Sequence, residues 1–206
     1  MQIIFLSKQN PKDYVEKEGR GKYPNAPKKC PFKDCGINLK MKKHGFYRRY
    51  LATLRFQGCI RVRRYRCPKC GQTVSMLPSF CIPRVSYGVL LVVMMLRYAH
   101  IAGSIRKTAK TFCAYIGGIT RRLIGKYLTR LRNNRRLIQY GINQLSPDNI
   151  ALGRLSGDAE WTKSFLDGIR PHFCLEFNVV FHKITEKSFM SLQNTIAQPG
   201  NKIQVF

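Results

Sequence analysis

The chain has 206 residues and a formal charge of +27, set by 37 Lys plus Arg against 10 Asp plus Glu. Hydrophobic residues make up 44% of it, enough to bury a core, which excludes a chain disordered by composition. Self-repulsion of this size costs stability unless a polyanion relieves it, so the composition points toward a nucleic-acid partner.

The first six residues, MQIIFL, suit a short strand; the polar stretch SKQNPKDYVEKEGRGK that follows at once is not that of a secretory signal. Residues 10–29 are polar and rich in Pro and Gly, and 1–29 is expected to be a loop-like lead-in. Residues 30–80 form a cysteine-bounded unit. Its interior, KMKKHGFYRRYLATLRFQGCIRVRRYR, is rich in aromatic and β-branched residues, and Gln57-Gly58 is expected to turn it into a hairpin. In the second strand Ile60, Val62 and Arg64 fall on one face, and Arg61, Arg63 and Tyr65 on the other.

Pro78 and Pro83 suggest a linker before a helical block over 84–145. Ser86 can cap a helix to about His100, and Gly103 ends it. Ser104 can cap a second helix with Ile105, Thr108, Ala109 and Phe112 facing inward. Gly117-Gly118 turns the chain, and Thr120 can cap a third helix to about Tyr140, its apolar positions being Leu123, Tyr127, Leu131 and Ile138. Residues 145–157 read as a linker. Between 171 and 189 the apolar residues fit both a helical face and the strand alternation Phe173, Leu175, Phe177, Val179 and Phe181; the pattern outruns ordinary strand length and favours a helix, and the tail AQPGNKIQVF looks extended. The longest apolar run, YGVLLVVMML, is too short to span a bilayer, so a soluble intracellular protein is expected.

Charge is distributed unevenly. Nowhere between Asp34 and Asp148 is there a carboxylate, yet that stretch holds most of the Lys and Arg; beyond Pro147 the two signs balance. A solvated surface normally mixes both signs. Phosphate binding accounts for the missing carboxylates, since each would repel a nucleic-acid backbone.

Cys30 and Cys35 in CPFKDCG, and Cys67 and Cys70 in CPKCG, make two glycine-followed knuckles, with room between them for two strands and a turn. Glycine lets the chain turn so that amides point at thiolates, and two knuckles complete a tetrahedral four-sulfur shell, so a structural zinc ribbon is expected. A redox reading of CPKC lacks a thioredoxin-like βαβ context and leaves Cys30 and Cys35 unexplained. Four thiolates leave no open coordination position for catalysis. Cys59, Cys81, Cys113 and Cys174 are expected to be small buried hydrophobes, and His44 a strand-surface residue touching nucleic acid, with a substitute metal ligand as the alternative. The third helix places Arg122, Lys126, Arg130 and Asn133 near one face, with Arg121 beside them and no interleaved Glu. Arg61, Arg63, Arg64 and Arg66 precede the second knuckle. These nine residues are the candidate nucleic-acid contacts.

The segments CPFKDCG, KKHGFYRRY, IRVRRYRCPKCGQTVSMLP and SIRKTAKTF, in that order, resemble the N-terminal zinc ribbon and helix-turn-helix of bacterial insertion-sequence transposases, and stand-alone mobile-element proteins of that layout. The resemblance covers about residues 30–140. It implies that Cys30, Cys35, Cys67 and Cys70 bind zinc and that the helix from Thr120 reads DNA. Such transposases continue into a large catalytic domain with three metal-binding carboxylates. Here the stretch after Pro147 is too short for that domain, and Asp158, Glu160 and Asp167 lie close together as surface or helix-start residues.

The expectation is therefore an α+β, non-enzymatic, cytoplasmic and nucleoid-associated protein. A ribbon over 30–80 precedes a helix-turn-helix over 84–145 and a helical segment over 146–206 that could hold a protein partner; the main partner is double-stranded DNA. An RNA- or ribosome-associated ribbon, a protein-interaction module and a small nuclease remain as alternatives.

Overall fold

A computed structural model of the chain describes residues 1–16, 23–145, 157–169 and 171–192. The N-terminal apolar run forms strand β1 (Gln2–Phe5), and a helix, α1 (Pro11–Glu16), follows where the sequence suggests only a loop. Asn10 explains the helix: its Oδ1 accepts from the Asp13 amide at 3.0 Å, and Pro11 occupies the first helical position, where a missing N–H costs nothing.

Five more strands complete the sheet: β2 (Lys42–Ala52), β3 (Gln57–Arg66), β4 (Thr73–Pro78), β5 (Cys81–Ile82) and β6 (Val85–Gly88). Their order is β1-β4-β3-β2-β6-β5. β2, β3 and β4 are antiparallel neighbours, while β1 runs parallel to β4. The hairpin turn lies at residues 53–56, closed by the Thr53 amide on the Phe56 carbonyl at 2.7 Å. Gln57 and Gly58 are instead paired inside the ladder, opposite Ala52 and Leu51; the closing Thr53–Phe56 bond overrides the dipeptide signal.

Nor is the stretch between the two prolines a linker. Ser79, Phe80, Cys81 and Ile82 are buried, and Arg49 clamps the small β5–β6 hairpin by donating to the carbonyls of Ile82 and Val85. Strand β6 takes up Ser86, so helix α2 (Val89–Ile101) begins after Gly88 rather than at a serine cap.

Helix α3 (Ile105–Cys113) is capped by Ser104 Oγ on the Lys107 amide, and α4 (Arg121–Asn133) by Thr120 Oγ1 on the Leu123 amide, both at 3.2 Å. The expected single helix to Tyr140 breaks at Asn134 and resumes as α5 (Arg135–Leu145). Asn134 is fully buried, and its amide group donates to Phe189 O at 2.9 Å and Ser191 O at 3.0 Å, tying the break to the C-terminal segment. Helices α6 (Asp158–Gly168) and α7 (Pro171–Thr185) complete the order, so 171–185 is helical as its periodicity indicates. Of the expected linker at 145–157, Leu145 ends α5 and Gly157 precedes α6; 146–156 and the expected extended tail at 197–206 lie outside the described residues.

Helices α2 to α7 share one core, in which Leu91, Met95 and Leu96 of α2 join Ile124 and Leu131 of α4, Trp161 and Phe165 of α6, and Phe177 and Phe181 of α7. The sheet is buried on both faces near its middle. Ile4, Leu51, Ile60, Val62 and Leu77 cluster with Phe80 and with Val179 of α7. On the other face Tyr65, Val74 and Met76 lie under the loop that carries Cys30, Phe32 and Ile37. The molecule is thus mixed α+β. Among the described residues no helix is long and apolar enough to cross a membrane.

Candidate metal centre and basic surfaces

Both cysteine loops close by the same backbone device. In the first, the Cys30 amide donates to Ile37 O at 3.0 Å, and the amides of Cys35 and Gly36 donate to Phe32 O. In the second, the Cys67 amide donates to Gln72 O at 2.9 Å and the Gly71 amide to Cys67 O at 3.1 Å. The glycine that follows each second cysteine has positive φ, +49° at Gly36 and +70° at Gly71, a region costly for side chains other than glycine.

The four sulfurs lie within 4.8 Å of one another. Cys30 and Cys70 Sγ are 3.8 Å apart, as are those of Cys35 and Cys67. A tetrahedral thiolate shell with metal–sulfur bonds of about 2.3 Å has edges of about 3.8 Å, whereas a disulfide needs about 2.0 Å. The arrangement therefore suits an ion and not two cross-links, and these four residues could hold a metal. The amides of Cys70 and Lys69 point at Cys67 Sγ and bring its thiol down to about 6, while burial pushes Cys30 up to about 12. A thiolate is thus ready near neutral pH, and an incoming cation would displace protons from its neighbours. Cys30 and Cys67 are buried and Cys70 is exposed, so the cluster sits at the rim of the sheet. Tyr65 holds the approach in place by donating its hydroxyl to Pro24 O.

The remaining cysteines divide. Cys81 and Cys174 are buried, and burial pushes both thiols up to about 12. Cys59 and Cys113 are exposed, contrary to expectation. Strand parity puts Cys59 opposite exposed Tyr50, and Cys113 ends α3 on its outer side. His44 is exposed on β2 and lies outside the sulfur cluster.

The four arginines before the second knuckle have separate surroundings. Arg61 is exposed and stands directly opposite Arg48 of β2. The Arg61 and Arg63 guanidinium carbons lie 4.7 and 4.5 Å from the Phe46 ring centre. Arg64, on the other face, donates to Thr73 Oγ1 at 3.1 Å. Arg66 is exposed and its Nε donates to Gly71 O at 3.0 Å, inside the knuckle itself. Arg48 is not among the sequence candidates, because its place opposite Arg61 depends on where the hairpin turns.

On α4 the expected stripe is interrupted. Arg121, Arg122, Lys126 and Asn133 are exposed. Arg130 is half-buried, lies over the Tyr127 ring at 5.9 Å and donates to Met190 O at 3.4 Å. Ser191 and Leu192 lie beside Lys126, Thr129, Arg130 and Asn133, around a concavity of about 300 Å³. Arg121, Arg122 and Arg132 of the helix are absent from that lining. α2 packs on both α3 and α4, and the chain turns between α3 and α4 through Gly118, at φ +81°.

No curated protein and no solved structure matches this chain. Residues 30–112, from the first cysteine of the sulfur cluster to the last turn of α3, match a family described as a domain of unknown function (DUF6431).

Proposed function

We propose that the chain is a zinc-stabilised DNA-binding protein, related to the DNA-recognition region of insertion-sequence transposases and serving recognition or regulation of a mobile element. The observation that carries it is where the cations stand. Arg48 and Arg61 face each other across an antiparallel pair, an arrangement that destabilises a sheet. Arg106 and Lys107 open α3, Arg121 and Arg122 open α4, and neither first turn holds an acidic residue. Cations at a helix N-terminus oppose the helix dipole. Four elements thus accept unfavourable placement of positive charge, and a phosphate backbone laid across them reverses the sign of each cost.

Zinc is assigned because four thiolates in a tetrahedron are the usual structural zinc shell, with iron the other metal such a shell takes. The ribbon would be β2, β3 and the two knuckles, and the helix-turn-helix would be α2, α3 and α4. Arg121, Arg122 and Lys126 would lie nearest the DNA, and Asn133 farther along. We assign binding rather than catalysis, because four thiolates fill the shell and leave no position for a substrate. A protein partner would have to use outward residues of α6 and α7, since Trp161, Phe165, Phe177 and Phe181 are committed to the core.

The test is a titration of metal-loaded protein with a random duplex and with an RNA hairpin at several salt concentrations. Duplex binding that weakens steeply with salt supports the proposal. A flat response removes it, and tighter binding to the hairpin moves it to RNA. Elemental analysis should give about one zinc per chain, and iron in its place would correct the metal alone.

A further inference from the structure

The start of β2 and the second knuckle enclose a notch of about 500 Å³ lined by Lys42, Lys43, His44, Arg66 and residues 67–71, Lys69 among them. We propose that this notch is a phosphate-binding site. The inference rests on the polyanion reading above and narrows it to a cluster of which the sequence singles out only Arg66 and His44.

Three observations converge there. First, Lys42 pairs directly with Arg66 across the ladder. Both are exposed, so two like charges are held opposite each other at a cost that an anion between them removes. Second, the site is built rather than accidental. Arg66 Nε is held by Gly71 O at 3.0 Å, which fixes the guanidinium plane and leaves its terminal nitrogens for a bidentate contact. A register irregularity between Lys43 and Phe46, with Gly45 at φ +88°, bends β2 where Lys43 and His44 border the notch. Third, the notch lining contains no carboxylate, and its volume far exceeds that of one water, about 30 Å³, so a phosphate group fits.

The metal centre adds a coupling. Lys69 stands between Cys67 and Cys70, and Arg66 directly precedes Cys67. An ion held by those sulfurs fixes the loop that presents both cations, so removing it should loosen the notch together with the knuckle.

Phosphodiester in a nucleic acid and free inorganic phosphate share this chemistry, and one experiment separates them. The metal-loaded full chain is compared with K42Q/K69Q and with a control that removes equal charge elsewhere, K8Q/K28Q. All four positions are exposed, and metal content confirms that each variant keeps its knuckles. Arg66 is left intact because its Nε closes the knuckle. The log–log salt slope of random-duplex affinity should become shallower by about 0.9 for each phosphate no longer neutralised, so by up to about 1.8 for K42Q/K69Q, and by clearly less for the control. In parallel, the Arg66 Nε–H resonance should shift on addition of the duplex. Equal slopes for both double variants with an unmoved Arg66 resonance overturn the notch while DNA binding stands. If the wild-type chain binds no duplex but inorganic tripolyphosphate shifts Arg66, the notch stands as a site for free phosphates and the DNA proposal falls. If neither ligand moves Arg66, the notch is overturned.

Discussion

Eight cysteines divide into three chemical environments, and each should answer a thiol reagent differently. Cys59 and Cys113 are exposed and outside the sulfur cluster, so in the metal-loaded chain they should be alkylated first. Cys81 and Cys174 are buried, with thiols pushed up to about 12, and should react only on unfolding. Cys30, Cys35, Cys67 and Cys70 should become reactive when a chelator is added. Mass spectrometry of timed alkylation checks this; fast reaction of Cys70 in the loaded protein would contradict metal ligation. Cys67→Ser should abolish stoichiometric metal binding, and Cys59→Ser should leave it at one ion per chain. The cysteine cluster is legible in the sequence because a knuckle is local: two cysteines and a glycine fix their own loop. The exposure of Cys59 and Cys113 is not legible there, because it depends on strand parity and on which side of α3 meets the core.

At the scale of elements, the capping serine and threonine ahead of α3 and α4 act where the sequence places them. Thr120→Ala should cost about 1 kcal/mol, measured by denaturant unfolding. Gly141 marks the contact of α5 with α7. A Cβ built there would lie 2.7 Å from Phe181 Cδ2, and Phe181 is fully buried, so Gly141→Ala should destabilise by about 1–3 kcal/mol through overpacking. An unchanged melting temperature would mean that the two helices can separate without cost. Helix breaks are harder to read than caps. Nothing local stops a helix at Asn134; its buried amide ends the helix by binding the distant carbonyls of Phe189 and Ser191. The hairpin turn behaves likewise, since Gln57-Gly58 is a good turn signal that pairing with Leu51 and Ala52 overrides.

At the scale of the whole molecule, charge and metal make the stability conditional. Ligation requires four thiolates, and Cys30, raised to about 12 by burial, must surrender a proton when an ion binds. Apparent metal affinity should therefore fall as pH falls, by about tenfold per pH unit for each proton displaced. Competition with a chromogenic chelator between pH 8 and pH 5 measures it, and affinity independent of pH would exclude thiolate ligation. Polyanions should raise the melting temperature of the loaded protein, because binding the folded state stabilises it by mass action and relieves repulsion across a chain of formal charge +27. That stabilisation should fade with added salt.

By itself the sequence determined what rests on short stretches of chain: the four clustered cysteines, the caps at Ser104 and Thr120, and the absence of any carboxylate between Asp34 and Asp148; the period of 171–185 fits both helix and strand, and the structure decided for helix. Only the tertiary structure decided which charges stand together. It set Arg48 against Arg61 and Lys42 against Arg66, turned Arg130 inward to Met190, and drew β1, α6 and α7 into the common fold. The reason is physical. Ligand geometry and capping are fixed by bonds between near neighbours in the chain, whereas the direction a side chain takes on a strand or helix is fixed by what its opposite face must bury.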